Sequence, residues 1–201
     1  MRRFAIIILG FALLATVMSA AQDTRSEVSL QGTGFITKDS DNRGISQRAT
    51  KTGGFLAGYR YHFNDWMAAE ANYGYSRDTQ SYLSSSGFTR IRSNIHEATA
   101  AFVITPPVSV AKLKPYALAG SGALVFDPTN NGGGALVGAR RQAKAAFLYG
   151  GGVDYDLTRH MALRAEYRGL VYKTPDFEVQ SLNTNKVTHT AQPSAGIVFR
   201  F

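Results

Sequence analysis

The 201 residues include 22 Lys and Arg against 14 Asp and Glu, a formal net charge of +8, and no cysteine. The missing thiol excludes disulfides and thiolate metal sites, so an exported chain of this composition has to be stabilised by another kind of closure. Twenty glycines, twelve phenylalanines and ten tyrosines, gathered in short alternating stretches, point to an all-β chain.

Met1 to Ala21 reads as a processing segment. Arg2 and Arg3 form a basic start, and Phe4 to Val17 is an apolar run of secretory length, short for a bilayer span. Ser19-Ala20-Ala21 then supplies the small residues of a cleavage site. The expectation is a cleaved signal peptide over 1–21 and one exported domain over 22–201, beginning near Gln22. No later run is long and apolar enough for a transmembrane helix.

The first strand, about Glu27 to Ile36, places Val28, Leu30 and Ile36 on one face, weakened by Gly32 and Gly34. Thr37 to Lys51 is polar and reads as a loop. Gly53 to Phe63 alternates clearly, with Phe55, Ala57, Tyr59, Tyr61 and Phe63 on one side. After the turn Asn64-Asp65, Trp66 to Tyr75 returns with Met67, Ala69, Ala71, Tyr73 and Tyr75 outward. Ser76 to Arg92 reads as a Ser-rich loop. Asn94 to Thr105 puts Ala98, Ala100, Phe102 and Ile104 outward, and Pro106-Pro107 ends it.

In the fifth strand, Tyr116 to Phe126, the bulky set Tyr116, Leu118, Leu124 and Phe126 is expected outward and Ala117, Ala119, Ser121 and Ala123 inward. Asp127 to Gln142 is a Gly/Asn-rich loop. Ala145 to Tyr155 shows Phe147, Tyr149, Val153 and Tyr155 outward, and Met161 to about Gly169 shows Met161, Leu163, Ala165 and Tyr167. Leu170 to Lys186 is the last loop. The closing strand, Gln192 to Phe201, carries Pro193, Ala195, Ile197, Phe199 and Phe201 on its apolar face.

The connections alternate between long and short along eight strands. That rhythm, with apolar residues outside and polar ones inside, is expected of an eight-stranded antiparallel up-and-down transmembrane β-barrel in the bacterial outer membrane. The inward faces collect Arg60, Glu70, Glu97, Asp154, Arg164, Glu166, Arg168 and Arg200, four of each sign. Pairing is what buried charges require, and Glu166 is expected to serve Arg164 and Arg168. A soluble lipid-binding barrel would have the reverse polarity.

Gly53-Gly54-Phe-Leu-Ala-Gly58-Tyr59-Arg-Tyr61 followed by Glu70 and Tyr73, and Gly150-Gly151-Gly152 through Arg168, resemble the transmembrane domain of the outer membrane protein A family. The bare barrel is also similar to outer membrane protein X and the opacity proteins. The resemblance implies an ionic core built on residues such as Glu70, Arg164 and Glu166. It further implies that the aromatic end of the closing strand, Phe199 and Phe201, acts as an assembly signal for the barrel-insertion machinery. The peptidoglycan-binding domain of the full-length family is missing after Phe201, so cell-wall tethering is not implied.

The histidines His62, His96, His160 and His189 lie on separate segments without zinc spacing. Some eight-stranded barrels modify lipids with a rim Ser, His and acid, but His189 lacks a serine two residues on. Gly150-Gly151-Gly152 precedes no helix and is no phosphate cradle. A diffusion channel is the other alternative, although eight strands leave an interior that side chains fill. The expectation is a monomeric, non-enzymatic barrel without a cofactor or a dedicated nucleic-acid role, presenting four surface loops.

The loops and their rims hold twelve basic residues, including Arg43, Arg48, Arg90, Arg92, Arg140, Arg141 and Lys144, against six acidic ones. The rest of the mature chain balances to zero. An anionic partner follows: lipopolysaccharide and outer-membrane lipid, or another surface ligand of negative charge.

Overall fold

A computed structural model describes residues 25–37, 40–42, 45–49, 52–84, 87–107, 112–129, 141–173 and 187–201. Among them are ten strands and no helix: β1 (Ser26–Thr37), β2 (Ser40–Asn42), β3 (Ile45–Ala49), β4 (Thr52–His62), β5 (Met67–Ser84), β6 (Gly87–Ile104), β7 (Leu113–Thr129), β8 (Gln142–Asp156), β9 (Met161–Lys173) and β10 (Val187–Arg200). Eight of them, β1 and β4 to β10, pair antiparallel in a ring. The pairing of β5 with β6 and of β1 with β10 closes it.

Closure leaves no free edge among the eight. Ser26 and Phe201 finish the seam by exchanging backbone hydrogen bonds of 3.1 and 2.9 Å. Pro193 has no N–H to give, and the β1–β10 pairing skips it, resuming at Ile36 and Ala191. Asn64 closes the short β4–β5 turn by accepting from the backbone N–H groups of Trp66 and Met67 at 3.1 and 2.8 Å. Thr158 does the same for Met161 at 3.0 Å in the β8–β9 turn.

The strands run past the stretches that alternate in hydrophobicity. Ser76 to Arg92, expected as a loop, is largely sheet: β5 continues to Ser84, and β6 starts at Gly87 and pairs with it throughout. In Thr37 to Lys51 the β2–β3 hairpin joins the upper part of β5, where β3 replaces β4 as its neighbour. The closing strand begins at Val187 rather than Gln192, and β9 extends to Lys173. Once a strand leaves the bilayer both faces meet water, so polarity stops alternating although backbone pairing continues.

The second correction concerns β7. Tyr116, Leu118, Leu124 and Phe126 point into the lumen, each no more than 6% exposed, while Ala117, Ala119 and Ser121 face outward. Alternation separates two faces but does not say which is inside. Here the small face meets lipid, and the bulky face fills the lumen above Lys114, which stands at the periplasmic mouth. Elsewhere the outward sets are as expected: Phe55, Tyr59, Tyr73, Phe102, Phe147, Tyr149, Leu163, Tyr167, Ile197 and Phe199 are exposed.

Candidate functional site

The lumen is divided. Its periplasmic part, between β1, β4, β5, β8, β9 and β10, holds an ionic network. Arg164 donates to both oxygens of Asp154, at 2.7 and 2.8 Å, and to Glu27 Oε2 at 2.8 Å. This fork-to-fork geometry suits guanidinium and carboxylate. Arg60 Nε donates to Glu70 Oε2 at 2.6 Å, and Arg164 Nη1 reaches the same oxygen at 3.4 Å. Arg200 donates to Glu27 Oε1 at 2.8 Å and also pairs with Asp156. One level higher, Arg168 lies 3.1 Å from Glu97 and donates to Thr99 at 2.6 Å, while Gln192 donates to Glu97 at 2.8 Å.

All eight inward charges named from the sequence line this lumen. Glu166 has a different partner from the one expected. It stands 3.8 Å from both Arg168 and Arg60, and its short contact is the Tyr116 hydroxyl, which donates to it at 2.6 Å. The same Tyr116 ring lies beneath two guanidiniums, Arg60 at 4.3 Å and Arg164 at 5.3 Å from its centroid. Gly152 makes this possible, because a Cβ there would meet the Tyr116 hydroxyl at 2.6 Å and Ala165 O at 2.6 Å. Gly152 of the β8 glycine run thus leaves the space into which the tyrosine fits.

Sequence reasoning missed Glu27, which is 3% exposed and touches Arg60, Arg164, Arg200 and His62. The signal was present: with Val28 and Leu30 outward, a period of two puts Glu27 inside. Counting it, three buried arginines and the half-buried Arg200 face five buried carboxylates, and the expected even balance is not met.

Toward the extracellular end the lumen turns apolar. Leu56, Ile95, Leu124, Phe126, Leu148 and Leu170 are each at most 1% exposed. Phe126 packs on Tyr172 with ring centroids 5.9 Å apart, and Tyr172 shares a 3.0 Å hydrogen bond with Thr190. Below the network, the periplasmic mouth is a charged vestibule of about 1050 Å³ whose walls include Arg25, His62, Lys114, Asp156 and Arg159.

The four histidines stand apart. His96 lies 2.8 Å from the Tyr73 hydroxyl and His189 2.8 Å from that of Tyr149, both on the outer surface. His62 is 3.2 Å from Glu27, and His160 is 3.2 Å from the carbonyl of Arg200. The partner of His189 is therefore a phenol, not a serine.

Of the basic rim, Arg43 and Arg140 lie outside the described residues. Arg48 is in β3, and Arg90 and Arg92 are in β6 rather than in loops. Arg141 is exposed just before β8, and Lys144 is half-buried within that strand. Phe199 is 47% exposed at the periplasmic rim, and Phe201 is half-buried at the seam.

Residues 7–201 match the family model described as the outer membrane protein beta-barrel domain. Solved structures of the same fold include OprG from Pseudomonas aeruginosa, 14% identical with a TM-score of 0.63, covering 88% of this chain and 95% of that one. Neisserial surface protein A is 17% identical with a TM-score of 0.60, over 88% and 97% of the two chains. Ail of Yersinia pestis, solved in complex with the heparin analogue sucrose octasulfate, is 17% identical with a TM-score of 0.54, over 88% and 98%. Among curated proteins none matches the chain.

Proposed function

Because this chain belongs to the outer membrane protein β-barrel domain family, an integral barrel of the outer membrane, we propose that its work is done on the extracellular surface, by non-enzymatic binding of an anionic partner. The observation that carries this reading is the distribution of charge. The buried lumen pairs its ions with one another, whereas by sequence the excess positive charge falls in the long connections and the strand ends beside them. A rim charge exposed to water attracts polyanions at a range of about 8 Å in physiological salt.

Two further points support it. The apolar upper lumen leaves little for a solute to follow, and the outer-surface histidines are bonded to tyrosines. Ail, of the same fold, holds a sulfated polyanion analogue. The test is binding of labelled heparin to the full chain reconstituted in phosphatidylcholine bilayers. Binding should weaken steeply as salt rises. R140Q/R141Q/K144Q should reduce affinity about tenfold, on the order of 0.5 kcal/mol per charge, with the compact gel mobility of the barrel unchanged. Salt-independent binding, or undiminished affinity in the variant, counts against the reading.

A further inference from the structure

A polar layer crosses the lumen between the ionic network and the apolar upper part, and Arg168 stands at its centre. Gln192 is the neighbour of Arg168 on β10, and Gly150 is its neighbour on β8. Thr99, which accepts from Arg168, lies beside Asn72 of β5. Glu166 holds the next inward position of β9, and Ser194, its neighbour on β10, donates to Gln31 of β1 at 2.9 Å. Arg168, Glu166, Gln31, Gln192 and Asn72 are each no more than 6% exposed.

Six polar atoms of these five side chains have no hydrogen-bond partner among the described residues. Three are donors: Arg168 Nε, Arg168 Nη1 and Gln31 Nε2. Three are acceptors: Glu166 Oε1, Gln192 Oε1 and Asn72 Oδ1. The amide of Gln192 donates to Glu97 at 2.8 Å and that of Asn72 to Glu70 at 2.6 Å. A carboxylate only accepts, so neither amide can be reversed and each oxygen stays an acceptor. Arg168 Nε and Glu166 Oε1 are 3.8 Å apart, too far for a direct hydrogen bond and within the span that a water bridges.

A buried donor or acceptor left unpaired costs more than an ordinary hydrogen bond gains, so six in one layer require a partner. An anion would satisfy the donors and repel the acceptors, and a cation would do the reverse. Water serves both. A buried water makes about three hydrogen bonds, so six atoms correspond to about two molecules. Glycines supply the room. The neighbours of Thr99 and Arg168 on β7 and β8 are Gly122 and Gly150, and directly paired residues share a face, so these two strands add no side chain to the layer there.

We infer that the middle of the lumen is a binding site for about two water molecules, held by Arg168, Glu166, Gln31, Gln192 and Asn72. They give Glu166, which has no guanidinium nearer than 3.8 Å among the described residues, the donors that the protein itself does not bring close.

The test uses the full chain folded in detergent micelles, with nitrogen-15 in its arginine and glutamine side chains. Cross-relaxation from water should appear at the Nε–H of Arg168 and at the side-chain amide of Gln31, with the sign of a held rather than a diffusing molecule. Oxygen-17 relaxation dispersion, which exchanging hydroxyl protons do not disturb, counts the held waters. R168M/E97Q removes the guanidinium together with the carboxylate 3.1 Å from it and should hold about two waters fewer than the wild type. An unchanged count overturns the inference, and so does a wild type without cross-relaxation at either group. If the double variant does not reach the compact gel form, the wild-type cross-relaxation decides alone. Cross-relaxation that appears only in chloride-free buffer assigns the site to the halide and overturns the inference as well.

Discussion

Glu27 accepts from Arg164 and from Arg200 at 2.8 Å each, and Arg60 lies 3.9 Å away. Removing it takes a carboxylate from two guanidiniums at once, whereas removing Glu166 costs one short bond to a phenol. Glu27→Ala should therefore lower barrel stability by about 3–5 kcal/mol, the range for breaking a buried pair by deleting one partner. Glu166→Ala should cost less, and Asp65→Ala in the exposed β4–β5 turn should leave the urea midpoint unchanged. Urea unfolding of the three variants in one detergent checks this order, and a Glu27→Ala midpoint equal to that of Asp65→Ala would contradict it. Parity made Glu27 legible in the sequence. The role of Tyr116 was not, because the same alternation is satisfied with the ring in lipid or in the lumen. What decides is the room opened by Gly152 on the neighbouring strand and the two arginines waiting for a π-face, and both depend on which strands are neighbours.

At the scale of the element, the strands were legible where each divides lipid from lumen and illegible where it rises into water. The β5–β6 hairpin shows both regimes: Met67 to Tyr75 alternates, while Arg77 to Ser84 does not and is still paired residue by residue with β6. The closing strand β10 was the clearest, since Pro193, Ala195, Ile197 and Phe199 all face outward. Phe199 and Phe201 contribute little that the finished barrel lacks elsewhere, because Phe199 faces lipid in either case and Phe201 holds the seam through its backbone. We propose that their importance is in assembly. F199A/F201A should refold in detergent micelles with a wild-type midpoint, and its assembled amount in cells should fall several-fold. Equal cellular amounts, measured as the heat-modifiable form, would remove that role.

The whole molecule is a closed ring whose interior is paired ions on the periplasmic side and packed apolar side chains on the other. Only the first of these layers was visible beforehand, because the second is built partly from the β7 face expected in lipid. The two layers make a strong barrier. The idealised cost of moving an ion into such an apolar layer is of order 20 kcal/mol. The reading proposed above puts the work of such a barrel on its outer surface. Planar-bilayer recording of the full chain in concentrated potassium chloride tests this most directly. The account predicts no steady ionic current from the wild type, and a current from L124S/F126S/L148S, in which the apolar layer is made polar. A stable wild-type conductance, unchanged by that substitution, would mean that the lumen is a path and that the work of this protein goes on inside it.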